Sequence, residues 1–252
     1  MTSRNWGFIP REVQEKLART RILLAGCGLG ANLARDLAAI GVTRFSVYDG
    51  DQVEYSNLGR QMYTIDQVGV NKAEAVRDNI LKVNPDAEVE VHPYYIECLN
   101  EIRVDVLSSD FILNTVDYSS AVFLSLTEYA TQECGKWVFF PTNIGWGAVL
   151  FHFTPESVSM ADYLGVAPTT TCDMTTFLRR LSVDFLPQHL EELFRSLVSG
   201  EAWTSVPQII PGAQLVSAMI CSHLCAILAG QKVKVAPSFY AIDLWPGGGE
   251  DC

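Results

Sequence analysis

Basic residues are scarce in this chain. Lys plus Arg total 18 against 29 Asp plus Glu, a formal charge of −11 over 252 residues. A protein that coats nucleic acid needs a basic face to neutralise phosphate, so no nucleic-acid coat is expected. An anionic substrate would need a local basic cluster. A disulfide framework is also missing. The seven Cys (27, 98, 134, 172, 221, 225 and 252) are odd in number and irregularly spaced, which at this size points to a reducing, cytoplasmic compartment. There is no long apolar run. The longest, near Leu215 to Leu228, contains Ser217, Ser222 and His223; it is too short and too polar to span a bilayer and predicts a buried helix, with no membrane partner. Met1 to Gly7 lack the charged-then-apolar pattern of a leader. Repeats and low-complexity tracts are absent.

What remains is the composition of a globular protein with a sizeable core: 48% hydrophobic, 19% charged, 18 Gly and 11 Pro. It excludes a disordered, collagen-like or coiled-coil chain. Its length allows one large domain or two small ones.

Arg21 to Ala25 reads as a buried strand running into Gly. Leu29 to Ile40 has helical spacing, with Gly41 placed for a left-handed helix end. Phe45 to Tyr48 is a second strand ending at Asp49, which completes a βαβ unit. A helix over Asn71 to Asn84, stopped before Pro85, leads to a third strand at Val89 to His92 and a fourth at Asp110 to Thr115. A helix over Ser120 to Cys134 and a fifth strand at Trp137 to Phe140 follow. This alternation predicts an α/β, Rossmann-like, mostly parallel sheet with helices on both faces. Ala148 to Phe153 comes after only a short turn at Gly145 to Gly147. That strand must pair antiparallel, so antiparallel strands are expected in the C-terminal half. From Thr154 to Pro211 the pattern breaks into a loop-rich stretch, with one amphipathic helix near Leu190 to Leu197. The apolar helix and a last strand near Phe239 to Leu244 close the chain, and Pro246 to Cys252 reads as a mobile tail.

Gly26-Cys27-Gly28-Leu29-Gly30 lies between a strand and a helix. Glycine permits a tight turn and close approach of backbone to phosphate, and the helix N-terminus behind it offers unpaired N–H groups. Asp49 ends the next strand, where an acid can bond ribose hydroxyls. Turn and acid together indicate a nucleotide with an unphosphorylated ribose; a plain glycine-rich turn would show the same glycines. The strict dinucleotide fingerprint would put Gly where Ala31 stands. Beyond the acid, the loop carries Asp51, Asn57, Arg60 and Gln61, and Lys72 opens a helix. Arg60 and Lys72 offer a fork and a point charge suited to a triphosphate, or are two ordinary surface cations.

The stretch D-x-D-x-V-x-x-S-N-L-x-R-Q from Asp49, followed by V-G-x-N-K at Lys72, resembles the ThiF/MoeB/HesA group of ubiquitin-activating-type adenylyltransferases. The resemblance runs from about Val13 to Ala130 and resumes weakly at Pro211-Gly212-Ala213. It implies one adenylation domain over 1–252. Residues 1–20 form an N-terminal helical arm, 21–153 a nucleotide-binding core, 154–211 an irregular insertion covering the substrate, and 212–252 a closing helix and strand. It also implies that ATP is bound by Gly26, Gly28, Gly30, Asp49, Asp51, Asn57, Arg60, Gln61 and Lys72. Asp117, in N-T-V-D, matches the acid that holds Mg²⁺; read alone, it would cap the helix that follows. The implied chemistry is attack of a carboxylate, usually a C-terminal glycine carboxylate, on the α-phosphate of ATP, which gives an acyl-adenylate and pyrophosphate. Arg60, Lys72 and Asp117 would serve it by positioning and charge neutralisation, with an arginine from the partner subunit of a homodimer. Arg4 is the candidate and Arg11 the second choice, although R-N-W-G-F-I-P departs from the relatives' R-Y-x-R-Q.

Other departures bear on function. The glycine turn is one residue shorter than the relatives' G-x-G-G-x-G. The two C-x-x-C pairs of a structural zinc are missing, and Cys221 with Cys225 supply two ligands where four are needed, so no structural zinc is expected. Cys172, in P-T-T-T-C-D, lies where some relatives carry an acyl-accepting thiol. Asp173 beside it favours the protonated form, so an incidental loop cysteine is the competing reading. The expected substrate is a carboxylate-bearing protein or peptide: a ubiquitin-like protein, a sulfur carrier or a ribosomal peptide; a small metabolite or tRNA acid is also compatible with these motifs. Backbone at Gly145 to Gly147 could approach its extended tail, with Trp146 either packing on it or lying in the core. The alternatives are a non-catalytic dimerisation or binding module that keeps the fold, and an NAD-dependent oxidoreductase, for which no catalytic Tyr-Lys or His-acid motif is present.

Overall fold

The structure, a computed structural model, describes residues 2–120, 122–167, 172, 174–199 and 207–245. Helix α1 (Arg11–Arg19) precedes β1 (Arg21–Ala25), α2 (Gly30–Ile40), β2 (Arg44–Tyr48), α3 (Lys72–Val83) and β3 (Glu88–His92). Next come α4 (Arg103–Ser108), β4 (Phe111–Asn114), α5 (Val122–Glu128), β5 (Trp137–Ile144) and β6 (Gly147–Phe153). Then α6 (Met160–Leu164), α7 (Met174–Asp184), α8 (Glu191–Ser199), α9 (Ile210–Leu228) and β7 (Tyr240–Asp243) complete the order.

The strands form one sheet, β3-β2-β1-β4-β5-β6-β7. The first five in that order run parallel, while β5–β6 and β6–β7 are antiparallel. The two-residue link between β5 and β6 leaves no room for a crossover, which is why the direction reverses there. The chain builds outward from β1 to β2 and β3, then crosses to β4 on the other side of β1. The carboxyl ends of β1 and β4 therefore flank a switch in strand order, the place where open α/β sheets leave a crevice.

Local chemistry sets the helix ends. Asn71 caps α3, its Oδ1 accepting from the N–H of Ala73 at 2.8 Å and Glu74 at 3.3 Å. Gly41 ends α2 at φ +113°. On α9, Gly212, Val216, Ile220 and Leu224 recur every four residues and are buried. That stripe packs on α2, β5 and β6, so contact with the core accounts for the apolar residues of the stripe. A second core on the opposite face joins Phe123, Phe140, Phe151 and Phe177.

Three elements differ from the sequence-based reading. The stretch 154–211 is helical where it is described, not loop-rich. Its Pro and Thr separate short amphipathic helices, which bury Tyr163, Leu164, Phe177, Leu181, Phe194 and Leu197 in the second core. Ser159 caps α6, and Gly165 ends it at φ +68°. Helix α4 was not foreseen, because six residues are too few to show a period. β5 continues past Phe140 through Pro141 to Ile144. Pro141 lies beyond the β4 ladder, which ends at Phe139, so its missing N–H costs no bond on that side. The expected tail from Pro246 to Cys252 lies outside the described residues.

Candidate functional site

A cleft of about 350 Å³ opens at the switch point. Gly26 and Gly28 after β1, Asp49 and Asp51 after β2, and Thr115 and Asp117 after β4 line it, together with Gln61 and Lys72. β5 contributes Thr142 and Asn143, and Tyr94, Tyr95 and Gln208 complete the rim.

Gly26 must be glycine. Its φ is +92°, and a Cβ there would lie 2.5 Å from the carbonyl oxygen of Thr115. Thr115 clamps the turn from the other side, its hydroxyl donating to Ala25 O at 3.0 Å and Gly26 O at 2.7 Å. Gly30 serves packing instead: it sits in the first turn of α2, where a Cβ would meet Leu24 of β1 at 2.7 Å. Tyr63 braces the turn from below by donating to Cys27 O at 2.6 Å. Cys27 itself is buried, and burial pushes its thiol up, so it acts as a small packed residue.

Asp49 is fixed by backbone. Its Oδ2 accepts from Cys27 N at 2.6 Å and its Oδ1 from Asp51 N at 2.8 Å. Burial pushes this carboxyl up from its ordinary range, and the two N–H donors and Lys72 oppose the shift. Lys72 is buried, and its Nζ lies 2.8 Å from Asp51 Oδ2. Tyr95 donates to the other oxygen of Asp51 and covers Gly50 with its ring. Burial raises the Asp51 carboxyl, but the hydrogen bonds from Lys72 and Tyr95 outweigh it and hold the group below its usual range. The same contact pushes the Tyr95 phenol up to about 12.

Asp117 is exposed at the mouth of the cleft. Its Oδ1 accepts from Ser119 N at 2.8 Å and Ser119 Oγ at 2.5 Å, which orients the carboxylate. Among the described residues nothing donates to Oδ2. The cleft thus holds three carboxylates and one ammonium. A triphosphate would bind poorly there unless more positive charge arrived, and a hard cation on Asp117 matches that deficit. Gln61 is buried, and its Oε1 has no hydrogen-bond partner among the described residues, an orphan acceptor that a bound ligand hydroxyl or amine would satisfy.

Not every residue picked from sequence reaches the cleft. Asn57 is buried in the loop, where its Oδ1 accepts from Glu54 N at 2.9 Å and shapes a 3₁₀ turn. Arg60 stands at the rim. Its Nη1 donates to Ser56 O at 2.8 Å and its Nε to Gln208 Oε1 at 3.1 Å, so it touches the cleft through Gln208. Arg4 is exposed in a 3₁₀ turn, Thr2–Asn5, packed near the far end of α2. That helix is about 16 Å long, which separates Arg4 from its own chain's glycine turn. Arg11 pairs with Glu15 on α1. Cys172 is 3% exposed within the second core.

Sequence reasoning missed Asn32, Tyr63, Tyr95, Gln208 and Asn143. Asn32 carried a signal, being a polar residue on the apolar face of a helix. It is fully buried, and its Oδ1 accepts from Met62 N at 3.1 Å while its Nδ2 donates to Arg60 O at 3.3 Å. Those bonds tie the polar loop to α2.

Among the described residues, Glu90, His92 and Asp105 lie close enough together to share a metal ion. Arg21 already supplies their cation, with its Nη2 2.5 Å from Glu90 and 3.4 Å from Asp105. Cys221 and Cys225 are one turn apart on α9, and burial raises both thiols.

Known proteins match this chain along its whole length or in part. The model of the ThiF family matches residues 2–252. The sulfur carrier protein adenylyltransferase of Thermus thermophilus is 37% identical over 95 residues, which are 37% of this chain and 35% of that protein. The ubiquitin-like modifier-activating enzyme 5 of Caenorhabditis elegans is 32% identical over 114 residues, 41% of this chain and 27% of that one. The chain therefore matches about a third or less of the length of these relatives. The crystal structure of Escherichia coli MccB with ATP superposes with a TM-score of 0.66 at 16% identity, over 92% of this chain and 66% of MccB. That likeness concerns the fold: a mixed sheet, mostly parallel, with antiparallel strands toward the C-terminus. The family match over nearly every residue, joined to a glycine turn, acid and basic loop that meet at the switch point, establishes that this chain belongs to the ThiF family.

Proposed function

We propose that the chain is an ATP-dependent adenylyltransferase. It would activate a carboxylate, ordinarily the C-terminal carboxylate of a protein or peptide, as an acyl-adenylate. One observation carries this reading: Asp49, Lys72 and Asp117, distant in sequence, line one cleft across β2, β1 and β4. The carboxylate of Asp49, pinned by two backbone N–H groups, presents its remaining lone pairs to ribose hydroxyls. The N-terminus of α2 and the Lys72 ammonium receive the phosphates. In the structure Lys72 is held by Asp51, so ATP would compete for it or share it. Asp117 would hold Mg²⁺, which when bound supplies charge neutralisation on the phosphates. A carboxylate oxygen then bonds to the α-phosphorus, the bond from that phosphorus to the bridging oxygen breaks, and pyrophosphate leaves with the electron pair. No protein nucleophile is required; the rate gain comes from positioning and charge.

The partner and substrate belong to the same proposal. One relative is named for its action on a sulfur carrier protein, which supports a protein or peptide substrate. A homodimer would bring Arg4 of one protomer to the cleft of the other, adding positive charge to a site that has one ammonium. Six cysteines among the described residues stand outside any disulfide, which supports a reducing, cytoplasmic setting.

ATP–pyrophosphate exchange with Mg²⁺ tests the reading, with a panel of glycine-ended ubiquitin-like proteins and peptides as carboxylate donors. Exchange that depends on one panel member is the expected result. Asp117→Ala should abolish exchange while part of the ATP binding survives, and unchanged turnover would sink the role given to Asp117. A protein that binds no ATP by calorimetry would point to a non-catalytic binding module.

A further inference from the structure

We propose that Asn143 recognises the last peptide unit of the acyl substrate, so that the cleft selects a peptide C-terminus over an acid without an amide N–H. This deepens the adenylation reading and rests on it. Asn143 is 2% exposed, it lines the cleft, and neither atom of its amide makes a hydrogen bond among the described residues. Buried amides in folded proteins nearly always have partners, so an unpaired amide on a residue that lines the cleft is one that a ligand can complete.

Its surroundings fix it in place. Asn143 pairs with Ala148 across β6. It shares a strand face with Phe139, which packs in the core with α2 and α9. Gly212 in the first turn of α9 lies against its Cβ; a Cβ on Gly212 would sit 3.4 Å from it and 2.4 Å from Gly145 O. The neighbouring oxygen acceptors on this side of the cleft are already engaged. Thr142 Oγ1 bonds the Tyr118 hydroxyl at 2.9 Å, and Gln208 Oε1 accepts from Arg60.

Position assigns the ligand. Adjacent strands lie about 4.8 Å apart. Asp49 marks the ribose at β2, and the glycine turn and Asp117 mark the phosphates at β1 and β4. The next lane, β5, is where the group attacking the α-phosphate must lie, and of its two polar side chains in the cleft Asn143 is the one without a hydrogen bond among the described residues. An amide offers one acceptor and two donors. Oδ1 can accept the N–H of the terminal residue while Nδ2 donates to a neighbouring carbonyl or carboxylate oxygen. An acid with no N–H would leave Oδ1 buried and unpaired.

The test uses two non-hydrolysable adenylate mimics, N-acetylglycyl-sulfamoyladenosine and its acetoxyacetyl ester counterpart, in which oxygen replaces the N–H. AMP is the control, and binding to the whole chain is measured by calorimetry. The unaltered protein should bind the amide mimic about tenfold more tightly than the ester, the size of one buried hydrogen bond. Asn143→Ala should bind both mimics alike. Asn143→Asp, which keeps an acceptor oxygen, should retain the preference, and AMP affinity should be the same in all three proteins. Persistence of the preference in Asn143→Ala would overturn the proposal, as would its absence from the unaltered protein. Loss of AMP affinity in Asn143→Ala would move the residue to the nucleotide side and overturn it too. Failure of the unaltered protein to bind AMP would overturn the adenylation reading itself.

Discussion

Gly26→Ala should destabilise this protein far more than Gly28→Ala, although the two glycines stand in the same turn. Alanine at position 26 must take a left-handed backbone conformation, which costs about 1–2 kcal/mol. Its Cβ would also meet the carbonyl oxygen of Thr115 at 2.5 Å. Relief requires the ends of β1 and β4 to part. Those ends are held by Thr115 N to Ala25 O at 2.8 Å and by two bonds from the Thr115 hydroxyl. Losing one or two of these adds about 1 kcal/mol each, for a total of roughly 3 kcal/mol. For a domain of this size that lowers Tm by about 6–12 °C. At position 28 φ is not positive, and the nearest atom to a new Cβ is Gln61 Nε2 at 3.5 Å, an ordinary contact. Its Tm should stay within about 2 °C, with any defect appearing in ATP affinity. Thermal unfolding of both variants by circular dichroism, without nucleotide, is the assay. Equal melting temperatures would refute the claim that the turn is locked through Thr115.

Other consequences can be measured. Asp49→Asn turns an amide N–H toward one of the two backbone donors, Cys27 N or Asp51 N. The mismatched buried bond should cost about 2 kcal/mol of folding stability, read as a lower midpoint in urea unfolding without nucleotide. His152 lies buried against Lys234 O and His223; burial drives its imidazole down from 6.5 to about 4. The folded state therefore prefers it neutral, so its contribution is complete above pH 6.5 and is lost as pH falls toward 4. Urea unfolding across that range should lose stability with acid, and His152→Gln should flatten the slope. An unchanged slope would contradict the assignment. Cys172→Ala should leave ATP–pyrophosphate exchange intact, because a thiol 3% exposed in the core is closed to an acyl group; lost exchange would show that the residue acts earlier than its burial allows.

Much of the fold was legible because its signals are local. Gly41 and Asn84 ended helices where they stand, and Asn71 capped α3. The short link at Gly145 to Gly147 forced the antiparallel turn of β6 by length alone. The meeting of the glycine turn, Asp49 and Lys72 in one cleft was legible for the same reason: they follow one another around one βαβ unit and the helix after it. Asp117 was singled out only through the resemblance; read alone it would have been a helix cap.

What the sequence by itself determined, then, is whatever short-range geometry dictates: strand and helix periods, caps, turns and the motif that runs from Asp49 to Lys72. Tertiary structure decided the rest, because proximity across a sheet is set by strand order and not by separation along the chain. It turned Asn57 into the inner bond of a turn and held Arg60 at the rim. Cys172 was closed into a core that its Thr-rich neighbours gave no sign of. The tertiary fold likewise brought Asn143, Gln208 and Tyr95 to one cleft with Gly26, which precedes Gln208 by 182 residues (208 − 26).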